Sequence, residues 1–313
     1  MRTLELLTDA FHRPMLVSAL AVAVMSAPLA VLVVLKRLSF IGQGVSHAAF
    51  GGAGIAYLLG FTGVAALGAT ASESAAARLA FTAIVLVFCI LAAIGIGRMT
   101  PAAGGASRAS GSAARADTAI AVVLVGSMAL GFLLISLVAR RPRAPGQSPP
   151  PGVETVLFGS VVGVGMADAL VGVVVALLVL GTLWWLRRPM LFWALDEASA
   201  EAFGVNTQRI KMVLLILNAL AIVTVMRLAG VVLATALLVL PGATALRLSD
   251  RLWGVLAWSL AVAITGVLAG LSLSFEADLS PGPSVVLVLV ALYAAVCAVG
   301  WASDRLRRAP ASI

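Results

Sequence analysis

Long apolar runs separated by short polar breaks set the pattern of this chain. Residues 17–35, 79–96, 119–138, 161–186 and 285–299 carry almost no charge. A helix needs roughly 20 such residues to cross about 30 Å of hydrocarbon. Extending the pattern gives spans at 14–35, 43–60, 79–97, 118–139, 161–186, 210–226, 229–247, 252–274 and 283–302. Residues 210–247 hold two spans only if the chain turns at Met226-Arg227; otherwise the count is eight with one re-entrant segment. The pattern therefore predicts an all-α polytopic membrane protein with eight or nine transmembrane helices in a single domain, 1–313. Residues 1–13 include "TLELLTDAFHR", with acids and a histidine ahead of the first span. That reads as an interfacial amphipathic helix rather than a signal peptide.

Composition agrees: 62% of residues are hydrophobic and only 11% charged, well outside the range of soluble domains. The net charge of +8 does not point to nucleic acid, because the basic residues fall in short loops between spans, where they set orientation. With Lys36-Arg37 placed inside, the cytoplasmic loops collect Lys36, Arg37, Arg98, Arg108, Arg115, Arg187, Arg188, Arg209, Lys211, Arg247, Arg251, Arg305, Arg307 and Arg308. The other side keeps Arg2, Arg13, Arg78, Arg140, Arg141, Arg143 and Arg227. This predicts an outside N-terminus and an inside C-terminus, with the cluster at 140–143 as the counter-signal. Cys89 and Cys297 lie far apart within apolar runs, a placement that gives neither a disulfide framework nor a metal site.

Three connections differ in kind. Residues 98–117 are rich in Gly, Ala and Ser and read as flexible; residues 140–152, "RRPRAPGQSPPPG", read as a stiff outer loop. Residues 187–211 form a cytoplasmic loop with a short helix of their own, opened by Asp196 and Glu197 and closed by Gly204, which is sound capping chemistry. A structured helix there is either a docking surface or an amphipathic connector. No G-x-x-x-x-G-K-[ST] motif exists and the only lysines are Lys36 and Lys211, so any nucleotide hydrolysis belongs to another polypeptide.

The polar exception inside the oil is "FIGQGVSHAAFGG" at 40–52. Gln43 and His47 are four residues apart and share a helical face, which Ser46, Gly51 and Gly54 extend. Polar groups in hydrocarbon usually face the protein interior or a water-filled path, and neutral imidazole is a common ligand for transition ions. The stripe is either a polar station on a translocation path or an interhelical hydrogen bond of His47 beside glycines that permit close packing. Asp168 falls near the outer end of a span, Asn218 reads as an interhelical hydrogen bond, and Pro241-Gly242 should kink or break its span. Glu276 and Asp278 give the outer face an acidic loop, either solvated or a docking point.

The motifs "KRLSFIGQGVSHAAFGG", "LDEASAEAFGV", "GVVLATALLVLPGATA" and "LSPGPSVVLV", in this order, with "DTAIAV" at 117–122 and "VLFGS" at 156–160, resemble the membrane permeases of zinc/manganese/iron-type metal ABC importers. The resemblance covers residues from about 14 to 300. It implies an ABC importer permease related to the large type II importers, located in the cytoplasmic membrane of a prokaryote. It implies no enzyme activity and no cofactor in this chain, with ATP bound by two cytoplasmic ABC ATPase subunits. It also implies a metal-binding protein outside, for which Glu276 and Asp278 are the candidate docking residues, and a second copy of the permease or a homologous one. The 196–204 segment resembles a coupling helix that contacts the ATPase, its pattern E-A-x-x-E-A-x-G falling on Glu197, Ala198, Glu201, Ala202 and Gly204 behind Asp196. The early stripe usually reads Asp-x-x-x-His in that family, with both side chains contacting the passing ion. Here His47 matches and Gln43 stands at the aspartate position, so a negative charge is missing where a cation would meet it. A transient metal contact at His47 and Gln43, or a chelated cargo such as a siderophore, follows from that departure. An ion-coupled secondary transporter is the more distant alternative, for which paired intramembrane carboxylates are lacking.

Overall fold

A computed structural model describes residues 13–61, 75–99, 111–140 and 166–308. The predicted interfacial helix at 1–13 falls, but for Arg13, outside the described residues, as do most of the two long loops and "VLFGS". The described elements are helical: α1 (Arg13–Leu35), α2 (Ser39–Leu58), α3 (Ala75–Met99), α4 (Gly111–Ala139), α5 (Met166–Trp185), α6 (Arg187–Leu195), α7 (Glu197–Ala202), α8 (Thr207–Leu237), α9 (Leu240–Leu248), α10 (Leu252–Glu276) and α11 (Pro281–Arg308). Among the described residues, eight segments are long and apolar enough to cross a membrane, and they match eight of the nine predicted spans. The ninth is α2, which is long enough at 20 residues but more polar. It lies inside the bundle, packed on α3, α4 and α8. Burial against other helices rather than lipid is what lets this segment carry a glutamine and a histidine.

Two groups of helices share α8. One is α2 with α3 and α4; the other is α1 with α5, α9, α10 and α11, and α8 contacts members of both. The middle of α8 is accordingly among the most buried parts of the chain, with Leu214, Leu215, Asn218, Ala219, Ala221 and Ile222 all inaccessible.

The turn within residues 210–247 is present, but it falls at Gly230 rather than at Met226-Arg227. Gly230 adopts φ 83°, ψ 168°, a region essentially restricted to glycine. Beyond it the chain heads back. Thr235, Ala236, Leu238 and Val239 line one cavity with Val33, Ser39 and Gln43, at the membrane face where α1 ends and α2 begins. The returning span is broken again at Leu238-Val239, two residues ahead of the predicted Pro241-Gly242. Pro241 occupies the first turn of α9, where its missing N–H costs nothing. Gly242 packs directly on the Ala30 backbone, leaving no room for a Cβ.

Cross-chain contacts sort the loops onto two faces. Lys36 bonds Glu197 at 2.9 Å, Gln208 donates to the Gly97 carbonyl at 3.2 Å, and the start of α10 shares a groove with Arg187 and Arg188. These segments lie on one face, as the distribution of Lys and Arg predicts. The opposite face carries the turn from α10 to α11. There Asp278 takes φ 52°, and the Leu279 N–H returns to the Ser274 carbonyl at 2.9 Å in the manner of a glycine-type helix end.

Candidate functional site

The polar stripe on α2 divides into two parts. Gln43 is exposed and His47 half-buried, whereas Ser46 is fully buried and its hydroxyl donates to the Gln43 carbonyl at 2.8 Å. Gly51 abuts the Ser127 carbonyl and the Phe88 ring, and Gly54 abuts Gly131 and Leu134. The glycines thus serve close packing on α3 and α4, and the open part of the stripe shrinks to Gln43 and His47. Ser46, Gly51 and Gly54 are the packed residues of the stripe, and Gln43 and His47 are its accessible ones. His47 Nδ1 is buried without a hydrogen-bond partner, so the interhelical bond that would make His47 a packing residue is not made through that nitrogen.

Gln43 opens onto a cavity of about 240 Å³ between the start of α2 and the broken segment at 235–239. Helix breaks at membrane depth expose backbone carbonyls and are tolerated where they line a cavity. Here Thr235 and Val239 from the broken span face Ser39, Gly42 and Gln43 from α2.

Asn218 departs from expectation. It is 1% exposed, and neither its Oδ1 nor its Nδ2 has a hydrogen-bond partner. A methyl group on Gly42 would sit 3.1 Å from the Asn218 Nδ2, so the amide lies directly behind the cavity lining. An unsatisfied buried polar group costs about 1–3 kcal/mol. The sequence offered only a polar residue in mid-span, and nothing in it placed that residue behind Gly42.

On the basic face, the 187–211 segment is built around Lys36. Its ammonium donates to the Trp193 carbonyl and to Glu197, both at 2.9 Å, and lies 4.4 Å from the centre of the Trp193 ring. Asp196 caps α7, accepting from the Ser199 N–H at 3.1 Å and from the Ser199 hydroxyl. These bonds hold its carboxyl below the usual carboxylate range. Gly204 ends the helix at φ 81°, with N–H bonds from Gly204 to the Glu201 carbonyl and from Val205 to the Ala200 carbonyl. That is the paired pattern of a Schellman end. The six predicted residues separate: Glu197 turns inward, whereas Asp196, Ala198, Glu201, Ala202 and Gly204 are exposed. Phe203, 80% exposed and resting against the Phe192 ring, and Leu195, 69% exposed, project beside them. Sequence reading passed over both, although an aromatic just before the terminal glycine of a polar helix was a signal for it. Glu276 and Asp278 are exposed together on the opposite face.

A helical bundle with a polar seam, a broken span beside it and a preformed loop helix on one face defines a multi-pass membrane transport subunit. The chain belongs to the ABC 3 transport family, which residues 8–300 match. It is 29% identical over 97% of its length to a "Probable iron transport system membrane protein" of Haemophilus influenzae, covering 98% of that protein. It is 27% identical to the "Manganese transport system membrane protein MntC" of Halalkalibacterium halodurans, over 93% of this chain and 87% of that one. Among solved structures, "PsaBC from Streptococcus pneumoniae in complex with Fab" has the same fold, with a TM-score of 0.72, 24% identity and coverage of 93% of this chain and 92% of that one.

Proposed function

We propose that this chain is the membrane permease through which an ABC importer passes a divalent metal ion, and that Gln43 and His47 meet the ion in transit. The observation that carries this is the His47 Nδ1, buried and unpartnered one turn beyond an exposed Gln43 in a largely apolar bundle. Imidazole and amide oxygen are neutral ligands, and a site without carboxylates leaves the ion's charge uncompensated in a low-dielectric setting. Such a site holds its ion loosely, which suits release. Relatives are named for iron, manganese and zinc transport; imidazole suits iron and zinc, and a carbonyl-type oxygen such as that of the Gln43 amide suits manganese.

ATP is hydrolysed by partner subunits that dock on the exposed side of α7 at Ala198, Glu201 and Ala202, with Asp196 and Gly204 shaping that helix. By the Lys/Arg distribution this is the cytoplasmic face. A metal-delivering protein engages the opposite face at Glu276 and Asp278, and a second permease closes the path along the open seam of α2. The test is uptake of radioactive zinc and manganese by the complete complex carrying His47→Ala or Gln43→Asp, normalised to complex in the membrane. The expected outcome is a loss of about tenfold or more for His47→Ala and tighter ion retention for Gln43→Asp. Normal uptake by His47→Ala would remove His47 from the path.

A further inference from the structure

A second cavity, about 370 Å³, lies away from the α2 seam. Its walls are apolar: Pro28 from α1, Leu180 from α5, and Trp253 at the start of α10. Trp184, Arg187 and Arg188 close one end. The position is defined by the helices that frame it. Pro28 is seven residues before the end of α1, about 10 Å at 1.5 Å per residue, while Leu180 and Trp184 belong to the last turns of α5 and Trp253 to the first turn of α10. The groove is therefore at the level where acyl chains meet headgroups, on the face that carries Lys36 and the loop helix.

Its chemistry changes along its length in the same sense. The deep part is hydrocarbon. The shallow part has two exposed guanidinium groups, Arg187 and Arg188, and among the described residues neither is paired with a carboxylate. The Arg187 guanidinium carbon lies 4.1 Å from the centre of the Trp184 ring, a cation–π contact that leaves N–H donors for an anion. Trp184 and Trp253 are 65% and 70% exposed, as befits aromatic side chains at a membrane–water interface. A volume of this size falls in the range of small-molecule pockets, about 300–1,000 Å³.

We infer that this groove is a binding site for one anionic phospholipid of the leaflet on the Lys36 face, with an acyl chain against Pro28 and Leu180 and the phosphate on Arg187 and Arg188. Basic pockets between transmembrane helices on the cytoplasmic side recognise such headgroups. A second copy of the chain is the less suitable occupant. A two-fold interface sets the same patch against itself and would bring four guanidinium groups together without a counter-charge. The site sits beside α6, which runs directly into the Trp193 and Glu197 anchor of the loop helix, so an occupied groove steadies the segment that carries α7.

The experiment is native mass spectrometry of the full-length chain, titrated in neutral detergent with phosphatidylglycerol or with phosphatidylcholine of the same acyl chains. Binding of a single phosphatidylglycerol at least tenfold tighter than phosphatidylcholine is expected. One juxtamembrane cation strengthens anionic lipid binding about fivefold, so Arg187→Gln with Arg188→Gln should weaken it about 25-fold. Leu180→Trp, which fills the groove and keeps both charges, should also displace the lipid. Melting of each variant in phosphatidylcholine alone checks that the fold is intact. Equal affinity for the two lipids, undiminished phosphatidylglycerol binding by the double variant, or lipid-independent dimers that protect a cysteine placed at Leu180 would each overturn the assignment.

Discussion

Lys36 at the end of α1 and Glu197 at the start of α7 are 161 residues apart in sequence and 2.9 Å apart in space. Their side chains are 12% and 19% exposed, so the pair is largely shielded from solvent. The same ammonium holds the Trp193 carbonyl. The loop helix is thereby tied to the end of α1, which three residues, 36–38, join to α2 and its open seam.

That linkage gives the first prediction. Lys36→Met takes from Glu197 the ammonium 2.9 Å away, and Glu197→Gln takes from Lys36 its carboxylate while the Trp193 carbonyl bond remains. Each should destabilise by about 1–3 kcal/mol, the range for a hydrogen bond to a charged group left unmade. In the double variant the losses should not add, leaving a coupling of roughly 1–2 kcal/mol. Thermal melts of the four proteins in detergent measure this. Additive losses would mean the contact carries no energy. Uptake should fall further than stability does in the single variants, because the loop helix keeps its caps but loses its tether.

Phe203 supplies the second. An aromatic 80% exposed on a water-facing loop contributes little to the fold, and large aromatics at the centre of an interface commonly cost 2 kcal/mol or more when truncated. Phe203→Ser should leave the melting temperature within about 1 °C of the parent, since surface changes are usually within about 0.5 kcal/mol. Association with the ATPase, followed by pull-down from membranes, should weaken by about 30-fold. Full ATPase recovery with Phe203→Ser would move the docking surface elsewhere on the loop.

The third concerns pH. The Asp196 carboxyl is held below its ordinary value by the Ser199 hydroxyl and N–H. A group whose folded value is depressed contributes stability above its unfolded value, about 3.9 for aspartate, and loses it as pH falls through the folded value. The α7 cap should therefore be complete at pH 5 and above and weaken only below about pH 4. Ser199→Ala should narrow that window from the acid side. Amide hydrogen exchange at Ser199 and Ala200, followed from pH 6 to pH 3, should accelerate beyond the intrinsic rate change in the parent and start at higher pH in Ser199→Ala.

The spans were legible because a bilayer imposes one length and one composition on every helix that faces it, and residues 79–97 or 252–274 obey both. The α7 helix was legible for a different reason: Asp196 and Gly204 carry their own capping chemistry within nine residues. What the sequence could not reveal is which side of a buried helix each residue meets. Ser46 and His47 are neighbours on α2 with similar polarity, yet one bonds its own backbone and the other leaves Nδ1 unpaired. Gly51 and Gly54 continue the stripe by spacing but belong to the α4 contact. Glu197 looks like any other acid of the loop until Lys36 is placed beside it. The exact reversal point was likewise hidden, since Met226-Arg227 is the polar break while Gly230 is the residue whose backbone can turn.

Asn218 carries the last prediction. Its amide is buried behind Gly42 with both polar atoms unpartnered, at the junction where α8 meets the helix that bears Gln43 and His47. If the amide only fills space, leucine, with the same number of side-chain heavy atoms and no polar ones, is a better occupant. Asn218→Leu would then remove an unsatisfied donor and acceptor and raise stability by about 1–3 kcal/mol, with transport unchanged. If α2 moves away from α8 during the cycle, Asn218 becomes the first polar group that the cavity beside Gln43 gains, and the unsatisfied state is the resting half of that motion. Asn218→Leu should then stabilise the resting protein by the same amount and slow metal uptake by about tenfold, the rate equivalent of 1.4 kcal/mol. Melting temperature and uptake measured on the same preparation separate the two outcomes. Greater stability together with undiminished uptake would sink the transport role, and a cysteine at 218 labelled by a small water-soluble thiol reagent only during ATP turnover would establish that the cavity reaches it.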